Sequence, residues 1–350
     1  MTTVKSISGG PVLVVGGYGA VGTAVTERLG EWFPGRVLPG GRDGARARSL
    51  GGVRVDTADP DHFRRLLDAE GVAAVVLCVE PPDEGIARTC LERGVHVVDV
   101  GATPRRLDAV EGLHDVAAGT GASAVLSVGV APGLTNLLAH RAHSAVGGAA
   151  RLDVTVLLGS GARHGADAVR WTVAGLAEPA AGGARRTALP GYGVRAAHPF
   201  PFSDQHTLRR TLGIPEVTTR LCLDSRVLTG LLFALRRTGA LRAAGRPALA
   251  GPLTEAFGRV HLGGDGFALR ADAHRGAAHA AFALTGREQS TVTGLVAAYA
   301  TRELLTAGLP AGVHHLEQLP QLADLPERLA GGGVRVWTRR REPARRRAGG

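Results

Sequence analysis

The feature that most constrains this chain is the run Gly16-Gly17-Tyr18-Gly19-Ala20-Val21-Gly22, set directly behind the apolar stretch Val12–Val15. Glycine tolerates positive φ, so Gly16 lets the chain turn sharply off a strand. Gly17 and Gly19 lack the Cβ atoms that would hold a diphosphate away, and Gly22 lets the following helix lie close on a sheet. The apolar set Val21, Ala24, Val25 and Leu29 then has helical spacing. A strand, a glycine turn and a helix start in that order present unpaired N–H groups and the positive end of a helix dipole to an anion.

The rest of the first half repeats the rhythm. Short β-branched runs at 12–15, 36–38, 53–55, 74–79, 96–100 and 124–128 alternate with helical patterns such as Phe63, Leu66 and Leu67 or 86–93. Six strands joined by right-handed crossovers make a doubly wound parallel sheet, so the expected fold is α/β of the Rossmann type. Beyond about residue 145 the pattern changes to a strand at 152–158, a helix at 166–176, a Pro/Gly-rich loop and two further helical patterns. A hairpin about His274-Arg275-Gly276 and a long helix from Gln289 follow. The expected organisation is a dinucleotide domain over 1–145, a smaller α+β substrate and dimerisation domain over 146–330, and a disordered Arg-rich tail over 331–350. Within the second domain, about 286–330 could pack back on the first.

The end of the second strand discriminates between the two nicotinamide dinucleotides. A carboxylate there accepts from the ribose 2′-hydroxyl of NAD, whereas this chain has Gly40-Gly41-Arg42-Asp43. A guanidinium at Arg42 can clamp a 2′-phosphate, which favours NADP(H) over NAD, with Asp43 as the group that could serve NAD instead. Asp56, after the third strand, is placed to accept from the adenine amino group. Cys78 and Val79 close the fourth strand on the nicotinamide side of the crevice, and Glu80 beyond them reads as a solvated turn carboxylate.

Composition removes several function classes. Lys5 is the single lysine, so lysine Schiff-base or general-base chemistry is excluded unless the amino terminus reaches the site. The net charge of +10 is concentrated at one end, where Arg335, Arg339, Arg340, Arg341, Arg345, Arg346 and Arg347 face Glu342 alone. That pattern reads as a solvated tail rather than a nucleic-acid surface. Cys78, Cys90 and Cys222 are odd in number and have no CxxC spacing, as expected of reduced cytoplasmic thiols. The uncharged stretches 6–26 and 116–139 are interrupted by glycine and proline, so neither reads as an export signal or a membrane span.

Several segments together carry a resemblance. VLVVGGYGAVG, the GGR after the second strand, LCVEPP, GVHVVDVGA and GVAPGLTNLLA, with FALTGREQSTVTGLVAAYATRELLTAGLPAGVHHLEQL near the carboxyl end, are similar to the saccharopine dehydrogenase family. The resemblance implies NADP-dependent reduction of an imine, with enoyl reductases of lipid or polyketide chains among more distant relatives. It also implies a homodimer whose late segment returns to the cofactor domain.

Hydride transfer further needs a proton donor over the carboxyl ends of the strands. Asp99, with His96 behind it, is one candidate. It could orient a substrate amine or a water, or simply cap the next turn. The second domain offers Arg163, His164, Tyr192, His198, Asp204 and His206, of which His164 and Tyr192 join Asp99 as the catalytic candidates. Trp171 would line an apolar pocket or pack in the core. His314-His315 with Glu317 suggests a metal site, but adjacent histidines diverge and no third ligand is evident, so no metal is expected. The expected function is an NADPH-dependent oxidoreductase acting on the C=N, C=O or activated C=C bond of a small metabolite. The rival is a non-catalytic NADP-binding sensor or scaffold.

Overall fold

The computed structural model describes residues 9–161, 166–178, 182–238 and 263–341. Strand β1 (Val12–Val15) is buried at every position, with Val12 and Val14 packed to one face and Leu13 and Val15 to the other. Both faces are covered, which is why the strand reads as a continuous apolar run rather than an alternation. It is followed by α1 (Gly22–Trp32), β2 (Val37–Gly41), α2 (Gly44–Ser49), β3 (Val53–Arg54) and α3 (Pro60–Glu70). Next come β4 (Ala74–Leu77), α4 (Gly85–Leu91), β5 (His96–Asp99), α5 (Pro104–Glu111), α6 (His114–Thr120), β6 (Ser123–Leu126) and α7 (Thr135–Ala145). Local chemistry fixes many of the boundaries. Asp59 accepts from His62 N at the start of α3, Pro60 takes the first helical position, and Gly71 ends the helix in the left-handed region.

The remaining elements are β7 (Arg151–Leu158), α8 (Ala166–Ala177), β8 (Arg185–Leu189), β9 (Gly193–Pro199), α9 (Asp204–Thr211) and β10 (Glu216–Leu223). They continue with α10 (Arg226–Arg237), β11 (Gly266–Arg275), β12 (Ala278–Arg287), α11 (Gln289–Thr306), β13 (Gly312–His315), α12 (Leu325–Arg328) and β14 (Arg335–Arg341). The first sheet has the order β13-β6-β5-β4-β1-β2-β3 with every pair parallel, a Rossmann-type doubly wound sheet. A second, mixed sheet has the order β14-β12-β11-β7-β10-β9-β8. Helix α7 packs on β11 and β12, so one apolar core runs from the first sheet through α7 to the second.

Three elements differ from the sequence reading. No strand is expected at Gly312–His315, yet β13 is hydrogen-bonded to β6 as the seventh strand, and α11 packs on α1. The approach is close: a Cβ on Gly294 would lie 2.6 Å from Val21 O. The Pro/Gly-rich segment after α8, read as loop, forms the hairpin β8–β9, with Gly191 and Gly193 at positive φ in its turn. Residues 335–341, assigned to a disordered tail, form β14 along the outer edge of β12. A free strand edge offers a row of unpaired N–H and C=O groups, and that satisfaction outweighs the repulsion of neighbouring arginines. Among the described residues no helix is long and apolar enough to cross a membrane.

Candidate functional site

The glycine turn leaves β1 with Gly16 at φ +82°, and the N–H groups of Gly16 and Gly17 both donate to Gly40 O, at 2.8 and 3.0 Å. These two amides are therefore used by the protein. By contrast, the N–H groups of Tyr18, Ala20 and Val21 make no hydrogen bond among the described residues and stand at the open start of α1. Unpaired amides at a helix start are what an anion needs. The role expected of Gly17 is corrected: its Cβ would lie 2.8 Å from both Pro39 Cα and Val14 O, so it admits β2 rather than a diphosphate. Gly22 is the tightest position of the motif, because a Cβ there would lie 2.1 Å from Gly16 O.

At the end of β2 the side chains form a built platform. The Tyr18 hydroxyl accepts from Asp43 N at 2.9 Å, above a Gly41 whose Cβ would meet that hydroxyl at 2.3 Å. Arg46 stacks over the Tyr18 ring at 4.7 Å and donates to Tyr18 O at 3.2 Å. Arg42 is exposed, and no hydrogen bond or ion pair engages it among the described residues. Asp43 caps α2, its Oδ1 accepting from Ala45 N and Arg46 N at 3.0 Å each. Sequence reasoning missed Arg46. The available signal was a second arginine one helical turn beyond Arg42. Asp56 Oδ1 accepts from Ala58 N at 3.1 Å and closes the turn after β3.

On the other side of the crevice, Cys78 N donates to Val15 O at 2.9 Å, and Val79 Cγ1 lies 2.7 Å from where a Gly16 Cβ would be. Both residues thus back the glycine turn. Burial pushes the Cys78 thiol up, and the Asp99 charge pushes it further, so it is held as a thiol. Asp99 is buried and its Oδ1 accepts from Gly101 N at 2.7 Å, a turn-capping bond. Burial pushes its carboxyl up to about 6, against the Gly101 bond and Arg106, with Glu80 adding to the rise. Arg106 pairs with Glu80 at 3.4 Å and donates to Asp83 O at 2.7 Å.

Above these loops lies a cleft of about 510 Å³ between the two domains. Glu80 and Arg106 line its wall on the side of the first sheet. Trp171 of α8, Glu178 just past its end and His206 at the first turn of α9 line the other. Trp171 is braced by Phe200 and Phe202, with ring centroids 5.2 and 5.1 Å away. No hydrogen bond engages the exposed His206 ring among the described residues.

The second-domain candidates separate. Tyr192 is not brought to the cleft: it packs with Leu157, Cys222 and Ala268 on the face of the second sheet turned away from α7. The turn between β8 and β9 decides which face it meets, and a single hairpin register settles that. His164 and Arg163 lie outside the described residues. His198 stacks on Phe233 at 4.2 Å in a different cavity, beside Arg236. Asp204 is buried and accepts from Thr219 Oγ1 at 2.6 Å. His314 faces His114 edge-on while His315 turns inward, and among the described residues no group of three or more potential ligands is placed to hold a metal.

The raised Asp99 pKa has a consequence for stability. A carboxyl whose folded pKa lies above its unfolded value of 3.8 stabilises fully only below that value, and the contribution is lost as pH rises through about 6. Asparagine keeps the acceptor for Gly101 N but carries no charge. Asp99→Asn is therefore expected to leave stability unchanged near about pH 4 and to raise it by roughly 1–3 kcal/mol near about pH 8. Urea unfolding at both pH values checks this; a destabilised variant at the higher pH would refute the assignment.

The strand order and the crevice define a Rossmann-type α/β protein with an added mixed-sheet domain. No protein-family model matches the chain. Among solved structures, an engineered D-amino acid dehydrogenase is 14% identical over 92% of this chain and 98% of that one, with a TM-score of 0.46. A dihydrodipicolinate reductase from Paenisporosarcina sp. TG-14, with dipicolinate bound, is 10% identical over 89% and 99%, with a TM-score of 0.39. AtPrR2 in its apo form is 17% identical over 34% of this chain and 49% of that one, with a TM-score of 0.25, so the match spans about half of its length. None of these three is a saccharopine dehydrogenase.

Proposed function

We propose that this chain is an NADP(H)-dependent oxidoreductase, of the saccharopine dehydrogenase-like kind, that reduces an imine, carbonyl or activated C=C bond of a small molecule held in the interdomain cleft. The observation that carries the reading is that the amides of Tyr18, Ala20 and Val21 and the guanidinium of Arg42 all lack a partner among the described residues. The amides suit a diphosphate, and Arg42 with Arg46 suits a phosphate on the adjoining ribose. NAD is disfavoured because Asp43 already spends its Oδ1 on the two amides of α2. The dinucleotide, when bound, supplies the hydride.

The chain's own residues would do the rest. Trp171 and the proline-lined loops give the cleft apolar walls, and an imidazole nitrogen of His206 moves a proton to the atom that gains electron density. Asp99 fixes the Gly101 turn beneath them.

Thermal unfolding with saturating NADPH or NADH is the first test. Ligand at a hundred times its Kd is expected to stabilise by about 2.7 kcal/mol, a rise in Tm of roughly 5 °C. Stabilisation by neither dinucleotide overturns the reading. The second test follows absorbance of the reduced nicotinamide with panels of imines, ketones and enoyl thioesters. Tight binding with no consumption would make the protein a sensor instead.

A further inference from the structure

Two buried side chains near the carboxyl end, His315 and Glu317, take no part in the chemistry described above, yet both are tied to the wall of the cleft. His315 ends β13 with its side chain 3% exposed. Its Nδ1 lies 2.8 Å from the hydroxyl of Ser127, which leaves β6 in the left-handed region at φ +55°. Its Nε2 lies 2.5 Å from Glu111 Oε1 at the end of α5. The carboxylate calls for the proton on Nε2, so Nδ1 accepts from the serine. Glu111 Oε1 also accepts from Arg210 at 2.5 Å, and Arg210 reaches Asp108 at 2.9 Å. Burial alone would raise the Glu111 carboxyl, but the His315 and Arg210 bonds outweigh it and hold it below the ordinary range.

Glu317 makes a parallel tie two residues along. Its Oε1 accepts from Thr211 Oγ1 at 2.7 Å and its Oε2 from Asn136 Nδ2 at 3.0 Å, while Asn136 Oδ1 accepts from Gly133 N at 3.1 Å. Arg210 and Thr211 are the last residues of α9, the helix that carries His206 into the cleft. At its other end Asp204 accepts from Thr219 Oγ1 of β10.

We infer that His315 is a positioning residue: through Glu111 and Arg210, and beside the Glu317–Thr211 bond, it clasps α9 to the nucleotide domain and so sets where His206 stands over the cleft. The Arg210–Glu111 pair is partly exposed and worth little alone, but the buried His315 ring fixes Glu111 from the inner side and so gives the pair a set geometry. The inference rests on the reading of the cleft as the substrate site.

The experiment uses the full chain with Arg210→Gln, a half-exposed position that should not prevent folding, and with His315→Leu and the conservative His315→Gln, whose amide can still donate to Glu111. The KM for a substrate found in the reductase panel should rise about tenfold in R210Q and H315L, with kcat within about threefold and the NADPH Kd within about twofold. H315Q should recover most of the loss. The double variant R210Q/H315L should lose less than the sum of the two single losses, because both act largely through Glu111. Hydrogen exchange of the 204–211 amides should quicken about tenfold while that of 22–32 is unchanged. Unchanged exchange in α9 in both single variants overturns the clasp, as does a rise in NADPH Kd that matches the rise in KM. If the native protein consumes no substrate, the reductase reading fails, and the exchange result still decides the clasp.

Discussion

Gly22→Val is expected to lower NADPH affinity by at least about a hundredfold, the largest single effect a substitution should have on this protein. A Cβ at that position would lie 2.1 Å from Gly16 O, 2.7 Å from Gly16 C and 2.8 Å from Gly17 Cα. All three are backbone atoms, so no rotamer change can relieve the overlap, and either α1 or the glycine turn must move. Moving either one misaims the amides of Tyr18, Ala20 and Val21, whose value to a diphosphate depends on converging at one place. Stability should fall as well, by roughly 1–3 kcal/mol. Gly30→Ala in the same helix is the control: nothing lies within 4 Å of its Cβ position, and the substitution should stabilise by about 0.5–1 kcal/mol with binding unchanged. Fluorescence titration with NADPH and thermal unfolding without ligand measure both quantities. If Gly22→Val binds NADPH within about threefold of the native protein, the diphosphate does not dock at this helix.

The second large effect concerns the choice of dinucleotide. Replacing both Arg42 and Arg46 by alanine should weaken NADPH by about a hundredfold and leave NADH within about twofold, since each charge-assisted bond to a phosphate contributes about 1.5–3 kcal/mol. The two side chains approach the end of β2 in different ways. Arg42 has no partner among the described residues, whereas Arg46 is pre-positioned by the Tyr18 ring and carbonyl. Arg42→Ala alone should therefore raise the Kd for NADPH with a marked loss of salt dependence, and Arg46→Ala should act in part by freeing Tyr18. Asp43→Ala supplies the opposite control, costing about 1 kcal/mol of stability through the lost cap with NADH binding untouched. An unchanged NADPH-to-NADH ratio in the double variant would assign these arginines to solvent.

Much of the nucleotide half is legible in the sequence because its determinants are local. A strand buried on both faces needs only apolar residues in a row, and Val12 to Val15 supply them. The glycine turn is set by φ angles and by contacts between neighbours in the chain. Helix α3 is framed by Asp59, Pro60 and Gly71 within its own span. The candidate site divides along the same line. Gly16 to Gly22, Gly41 and Arg42 could be placed from spacing, since one turn and one strand end fix them. Arg46 carried only its spacing from Arg42 as a signal, and its stacking on Tyr18 depends on α2 folding back over that ring.

The second domain shows what local pattern leaves open. Tyr192 and His206 look alike in the sequence, polar rings in or near loops. One is turned against Cys222 and the other faces the cleft because of hairpin register and helix placement. The residue pair His314-His315 could be read as diverging, but nothing within the segment reveals that its partners are Ser127 and Glu111, nearly two hundred residues away or more.

The sequence by itself determined that a strand, a glycine turn and a helix would follow one another near the amino terminus, since the φ preferences and apolar periodicity that specify them act over a few bonds. Only the tertiary structure decided that β13 completes the first sheet, that β14 borders the second, and which histidine meets the cleft. Those outcomes depend on contacts between segments distant in the chain, where the free energy comes from edge pairing and shared burial that no stretch of sequence possesses alone.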